Sequence, residues 1–133
     1  MRGRSVRETR RMRILVASAE SALRDRICRS LLGDARDVER ADVQDWQEAV
    51  QALDRAPDVI FCDAMLPGHE RRGYQLVSEA IVLGIPIVVI CPGDRPLMES
   101  KLDSLGVPWA SKKKPWPREI FETIDAALRR PLH

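Results

Sequence analysis

The sequence predicts an α/β protein built on a parallel sheet, and three observations carry that prediction. Short apolar runs alternate with longer amphipathic stretches along nearly the whole chain, which is the pattern of repeated βαβ units. Two of the runs, Val59-Ile60-Phe61-Cys62 and Ile85-Pro86-Ile87-Val88-Val89-Ile90, are continuously apolar rather than alternating, as strands covered on both faces must be. Glycine and proline punctuate the junctions, at Gly33, Pro67-Gly68, Gly84 and Pro92-Gly93.

Residues 1–12 show no apolar periodicity and read as a basic N-terminal tail. Ile14-Leu15-Val16-Ala17 is the first strand, and Ser18 or Ser21 is positioned to cap the helix that follows. In that helix Leu23, Ile27 and Leu31 recur at helical spacing, with Arg24, Asp25, Arg26 and Arg29 off the stripe. Gly33-Asp34 stops it. A weak edge strand over 37–41 comes next, with Val38 and Ala41 as its apolar members. Trp46, Ala49, Val50 and Leu53 mark a second helix, where Trp46 reads as a packing residue.

The third strand ends at Asp63, and Met65-Leu66-Pro67-Gly68 turns the chain away. The charged loop 68–73 follows. Its His69 has no second His or Cys at ligand spacing, so no metal site is expected there. Tyr74, Val77 and Ile81 define a third helix, and the strand over 85–90 leads into Cys91-Pro92-Gly93. Met98, Leu102 and Leu105 define a fourth helix with Pro96 in its first turn. Val107-Pro108-Trp109-Ala110 is a short last strand, followed by Lys112-Lys113-Lys114-Pro115. A final helix opens at Pro117 and carries Ile120, Phe121, Ile124 and Leu128.

Five strands and five helices in alternation give a flavodoxin-like (βα)5 fold, with a five-stranded parallel sheet in order 2-1-3-4-5 and helices on both faces. Residues 18–21, 63–68, 91–94 and 111–115 then converge on the carboxyl rim of the sheet, where folds of this type place their ligands. At 133 residues the chain is long enough for one domain with a real core. Cys28, Cys62 and Cys91 have no CxxC spacing, and no signal peptide or long apolar span is seen, so a cytoplasmic location is expected with no membrane contact.

The formal charge of +2 hides an asymmetry: residues 1–13 hold six arginines against Glu8, for +5, and the remaining 16 basic and 19 acidic residues give −3. The arginine tail has no interleaved aromatic residue for stacking on bases, so nucleic acid is not the expected partner and a solvated leader is the simpler reading. Its direct check is the salt dependence of nucleic-acid retention with and without residues 1–12.

Asp63 after an apolar strand, the Met65-Leu66-Pro67 turn, Ile85-Pro86 followed by apolar residues, and Lys114-Pro115 after the last strand together resemble the receiver domains of two-component response regulators. The resemblance spans residues 13–130, within a domain expected to run from 13 to 131. It implies that Asp63 is the phosphoacceptor, that Lys114 contacts the phosphoryl group with Lys113 as a substitute, and that Cys91 stands where a hydroxyl residue normally takes another phosphoryl oxygen. It also implies a bound Mg²⁺ in a working receiver.

Three departures set this chain apart. The acidic pair that the family carries after its first strand is Ser18 and Ala19 here, leaving Asp63 and, as a weak substitute ligand, Glu20. Cys91 is a poor hydrogen-bond donor, and Pro92 stiffens the loop behind it. The loop after Pro67 and the stretch from Gly106 to Lys114 are both longer than the family usually has, which leaves the aromatic switch position open between Trp109 and Ser111.

The plain structural readings stand beside these. Asp63 and Lys114 form a partly buried ion pair, Lys112 and Lys113 are solvated, Cys91 is a buried apolar residue and Ser18 is a helix cap. The expectation is an atypical, pseudo-receiver signalling domain, not an enzyme. It would act by protein–protein contact without Mg²⁺-dependent phosphorylation and hold no cofactor or metal. The partner would be a histidine kinase, an output protein or a second copy of the chain, because no output segment follows the last helix. By analogy with the fold, the partner face would include Trp109, Trp116 and the helix near Lys101. The alternative is a working phosphoacceptor with Mg²⁺, phosphorylated on Asp63 by a histidine kinase. A third reading is a flavodoxin-like cofactor-binding protein using Ser18-Ala19-Glu20-Ser21 as a phosphate cradle, although that loop lacks glycine.

Overall fold

A computed structural model of the chain describes residues 12–31, 38–68, 73–114, 116 and 122. The elements are β1 (Met12–Ala17), α1 (Ser21–Leu31), β2 (Val38–Val43), α2 (Trp46–Ala52) with a 3-10 turn at Leu53–Arg55, β3 (Val59–Asp63), α3 (Gly73–Leu83), β4 (Ile87–Cys91), α4 (Pro96–Ser104) and β5 (Trp109–Ser111). Every strand pairs in parallel with its neighbour, in the order β2-β1-β3-β4-β5. The expected final helix apart from Glu122, which is helical, the loop residue His69 and nearly all of the basic tail lie outside the described residues. Met12 is an exception to the tail: it is buried and opens β1, one residue before the expected domain boundary.

Alternation along the strands divides the core into two layers. Leu15, Ala17, Ile60, Cys62, Val89 and Cys91 face one side, where they meet Ala49, Leu76, Val77, Ala80 and Leu102 of α2, α3 and α4. Ile14, Val16, Val59, Phe61, Val88 and Ile90 face the other, against Leu23 and Ile27 of α1 and the partly buried Trp116. β3 and β4 are buried at all five positions each, so their continuous apolar runs are the signature of strands covered twice.

Two apolar stripes differ from the sequence expectation. In α3 the buried residues are Leu76, Val77 and Ala80, and Ile81 is half exposed with Val82 and Leu83. In α4 Leu102 is buried, but Leu105 falls at the C-cap and stands in solvent, with Val107 filling the core behind it. Both helices end close to these residues, and the chain turns at Gly84 and Gly106 before the stripe completes another turn. The edge strand β2 runs two residues beyond its expected end. It gains Val43, whose buried side chain and register with Ala17 anchor it.

One glycine positions the rim. Gly93 has φ +104, and a Cβ there would stand 2.6 Å from Ser111 Oγ and 3.2 Å from the Lys113 stem. The loop leaving β4 therefore lies directly against the residues leaving β5. Gly93→Ala is expected to destabilise the fold by about 1–3 kcal/mol from strain at positive φ, against about 3–5 kcal/mol for emptying the core at Phe61→Ala. Urea unfolding of the two variants checks this, and a neutral Gly93→Ala would show that the two loops are not in fixed contact.

Candidate functional site

Asp63 is the last residue of β3, and the carboxyl ends of β1 and β4 stand on either side of it. It is 3% exposed. A carboxylate at that depth requires donors, since an unpaired buried charge is far more costly than a paired one. One comes from its own turn, where the Met65 backbone N–H reaches Oδ1 at 2.9 Å. The second is the Ser18 hydroxyl, which donates to Oδ2 at 2.9 Å from the end of β1. The third is the Lys112 ammonium, 3.3 Å from the same oxygen.

Lys112 makes a second, shorter contact, with Glu20 Oε2 at 2.6 Å. Its ammonium thus bridges two carboxylates from different loops. Burial pulls its pKa down, but the Glu20 hydrogen bond and the Asp63 charge outweigh that, and the pKa is raised above the ordinary lysine value. Ser18 is fully buried, and its Oγ also accepts the Glu20 backbone N–H at 3.0 Å. That contact holds the loop that carries the Glu20 carboxylate.

The lysine at the site is therefore Lys112 and not Lys114. β5 ends at Ser111, and the Lys112 N–H continues the ladder by donating to the Cys91 carbonyl, so its side chain leaves directly over the sheet edge. Beyond it the chain turns outward. Lys113 reaches Asp94 at 3.8 Å, and the Lys114 side chain is exposed. The reading of Lys112 as solvated is corrected by the same geometry. Ser18 is corrected too: its oxygen serves the N–H two residues on and its hydrogen serves Asp63, so it joins β1 to β3 instead of capping α1.

Cys91 does not touch the carboxylate. Its side chain packs into the core layer shared with Leu76, Val77 and Leu102. Burial first, then the charges of Glu99, Asp63 and Asp103, push the thiol up to about 12. Cys62, next to Asp63 in sequence, is raised further for the same reasons. Neither is a nucleophile at neutral pH. Ala19 is exposed and carries no donor atom, while Glu20 is committed to Lys112. Among the described residues no group of three or more His, Cys, Asp or Glu side chains could hold a metal ion.

The two tryptophans assigned to one partner face separate. Trp109 packs with the α2–α4 layer and donates its indole N–H to Asp103 of α4 at 2.8 Å. Trp116 packs on the α1 side of the sheet. Ser111, the alternative to Trp109 at the switch position, is buried and accepts the Lys113 N–H.

No protein-family model and no curated protein matches the sequence. Solved structures do match. The chain superposes on the receiver domain of NtrX from Brucella abortus with TM-score 0.67 at 25% identity, over 87% of this chain and 95% of that one. With the REC domain of AraT, a response regulator from Geobacillus stearothermophilus, the TM-score is 0.69 at 24% identity, covering 89% and 93%. With the BeF3-activated receiver domain of Klebsiella pneumoniae RstA it is 0.68 at 21% identity, covering 89% and 99%. The sheet order and these superpositions agree: the chain has the flavodoxin-like fold of response-regulator receiver domains.

Proposed function

We propose that this chain is a receiver-like signalling domain that works by protein–protein contact and not by Mg²⁺-dependent phosphorylation of Asp63. The supporting observation is the bridge itself. The Lys112 ammonium lies within 2.6 Å of Glu20 and 3.3 Å of Asp63, so the carboxylates of the rim already share a cation. Mg²⁺ takes near-octahedral oxygen ligands and binds through carboxylates with water. Here a divalent ion would have to displace Lys112 to gain a single buried carboxylate and one exposed one. The donor set does not fit Mg²⁺.

Protein partners agree with this reading, a histidine kinase or an output protein being the chemistry this fold serves elsewhere. Aspartyl phosphorylation draws on the pairing of a lysine with the strand-end aspartate, and its weakness is the missing acidic pair at Ser18 and Ala19. A phosphate cradle at residues 18–21 is disfavoured, because the Glu20 carboxylate stands there and would repel an anion.

The testing experiment is calorimetry with Mg²⁺, alone and with beryllofluoride. The wild-type chain is expected to show no saturable binding in the low millimolar range, and Ser18→Asp with Ala19→Asp is expected to gain it. Clear wild-type binding that Asp63→Ala abolishes would establish the phosphoacceptor reading instead. Asp63→Asn is further expected to leave partner capture intact.

The bridge also has a pH signature. A lysine whose folded pKa is raised contributes stability that is fully present below its ordinary value of 10.5 and is lost as pH rises through the folded value. Lys112→Met should therefore cost about 1–3 kcal/mol, for leaving Asp63 with one donor fewer. The difference from wild type should stay constant from about pH 7 to pH 9 and shrink only at higher alkalinity. Urea unfolding across that range measures it, and a difference that fades before pH 9 would show that Lys112 is not held by the two carboxylates.

A further inference from the structure

The position of Lys112 is itself held from the far side of the sheet. Arg26, in the middle of α1, donates from one guanidinium nitrogen to the Lys112 carbonyl at 2.9 Å and from another to the Lys114 carbonyl at 3.4 Å. The same guanidinium lies 4.4 Å from the centroid of the Trp116 ring. Trp116 in turn donates its indole N–H to the Ser111 carbonyl at 3.0 Å and rests on the core layer beneath α1. Three carbonyls of the segment leaving β5 are thus taken by two side chains.

Two physical facts give this arrangement a purpose. A lysine ammonium sits on a flexible four-carbon stem, so its location depends on where the backbone beneath it is held. Arginine can grip two acceptors and stack on an indole at once, because its guanidinium is planar and forked, and no other cation does both. We propose that Arg26, with Trp116 as its platform, is the positioning residue that places the Lys112 ammonium between Glu20 and Asp63, and that it couples the charge of Asp63 to the packing of Trp116. The inference rests on the location of Lys112 and not on whether Asp63 accepts phosphate.

The coupling runs through one short segment. Ser111 is bound by Trp116 through its carbonyl, its hydroxyl lies where a side chain at Gly93 would stand, and Lys112 follows directly. The Lys112 carbonyl, the guanidinium and the indole touch in turn, so a shift of the Lys112 backbone that follows its ammonium is passed along them. Groups facing Lys112 from each side are Glu20 after β1, Asp63 at the end of β3, and Arg26 against its backbone.

The test follows Lys112 Nζ and the tryptophan indole N–H groups by NMR in the full chain, with Trp116→Phe assigning the indole signal. Arg26→Gln is expected to lower the Lys112 titration midpoint towards the ordinary lysine value and to move the Trp116 indole resonance. Arg26→Lys, which keeps a cation over the ring but reaches fewer carbonyls, is expected to fall between wild type and Arg26→Gln. Arg29→Gln, an exposed change on the same helix, should move neither signal. In the reverse direction, Asp63→Asn should shift the Trp116 indole and leave that of Trp46 in place. A Lys112 midpoint unmoved by Arg26→Gln in a chain of wild-type circular dichroism overturns the proposal, as does a Trp116 signal indifferent to Asp63→Asn. Should Arg26→Gln fail to fold, Trp116→Leu, which removes the platform, is read by the same Lys112 midpoint.

Discussion

The carboxylate of Asp63 is the constraint around which the rim is arranged. At 3% exposure it cannot be left to water, and its own turn supplies only the Met65 N–H. The remaining donors arrive from the ends of β1 and β5, which flank β3 at different distances in the sheet. Satisfying one buried charge therefore draws two further loops together over the sheet edge. Ser18 is fully buried because it lies in that join, and Glu20, though exposed, is held beside Lys112 by the bond from its own N–H to Ser18. Removing a partner from such an arrangement is costlier than the net strength of any one contact, since the charge that stays behind remains buried.

The charge balance of the rim follows from the residues after β1. Two carboxylates and one ammonium leave a residue of about one negative charge, shared over Asp63, Glu20 and Lys112. An acidic pair in place of Ser18 and Ala19 would have left more negative charge than one lysine can offset, which is the situation that calls for a divalent ion. With a hydroxyl and a methyl there, the protein alone brings the rim to about one negative charge. On the proposed reading the aspartate is a fixed part of the architecture.

Much of this was legible in the sequence, for reasons that can be named. The doubly covered strands announce themselves through Val59–Asp63 and Ile87–Cys91, because a strand buried on both faces has no polar alternation. Asp63 stands out because it ends such a run. The choice of lysine was not legible, since three stand in a row and only the pairing of Ser111 with Cys91 determines which one leaves the strand first. Burial of Leu76 and Ala80 in place of Ile81 depends on where α3 meets the sheet, which helical spacing alone does not state. Arg26 carried no local signal at all: its acceptors lie 86 and 88 residues away, and it read as an ordinary charge off the apolar stripe.

The outer strands of the sheet have a consequence for how the molecule behaves in a crowded solution. An open parallel sheet ends in two rows of unpaired backbone groups, and a long flat edge is a template on which another chain can add a strand. On one side that edge is β5, only three residues long and continued by Lys112, Lys113 and Lys114. On the other it is β2, whose Glu39, Arg40 and Asp42 stand exposed and carry both signs of charge. An approaching strand would find too few ladder positions at the first edge and would have to desolvate ion pairs at the second. The lysine run that supplies the rim with its ammonium thereby also discourages edge-to-edge polymerisation, with Lys113 and Lys114 turned outward where they repel a second copy.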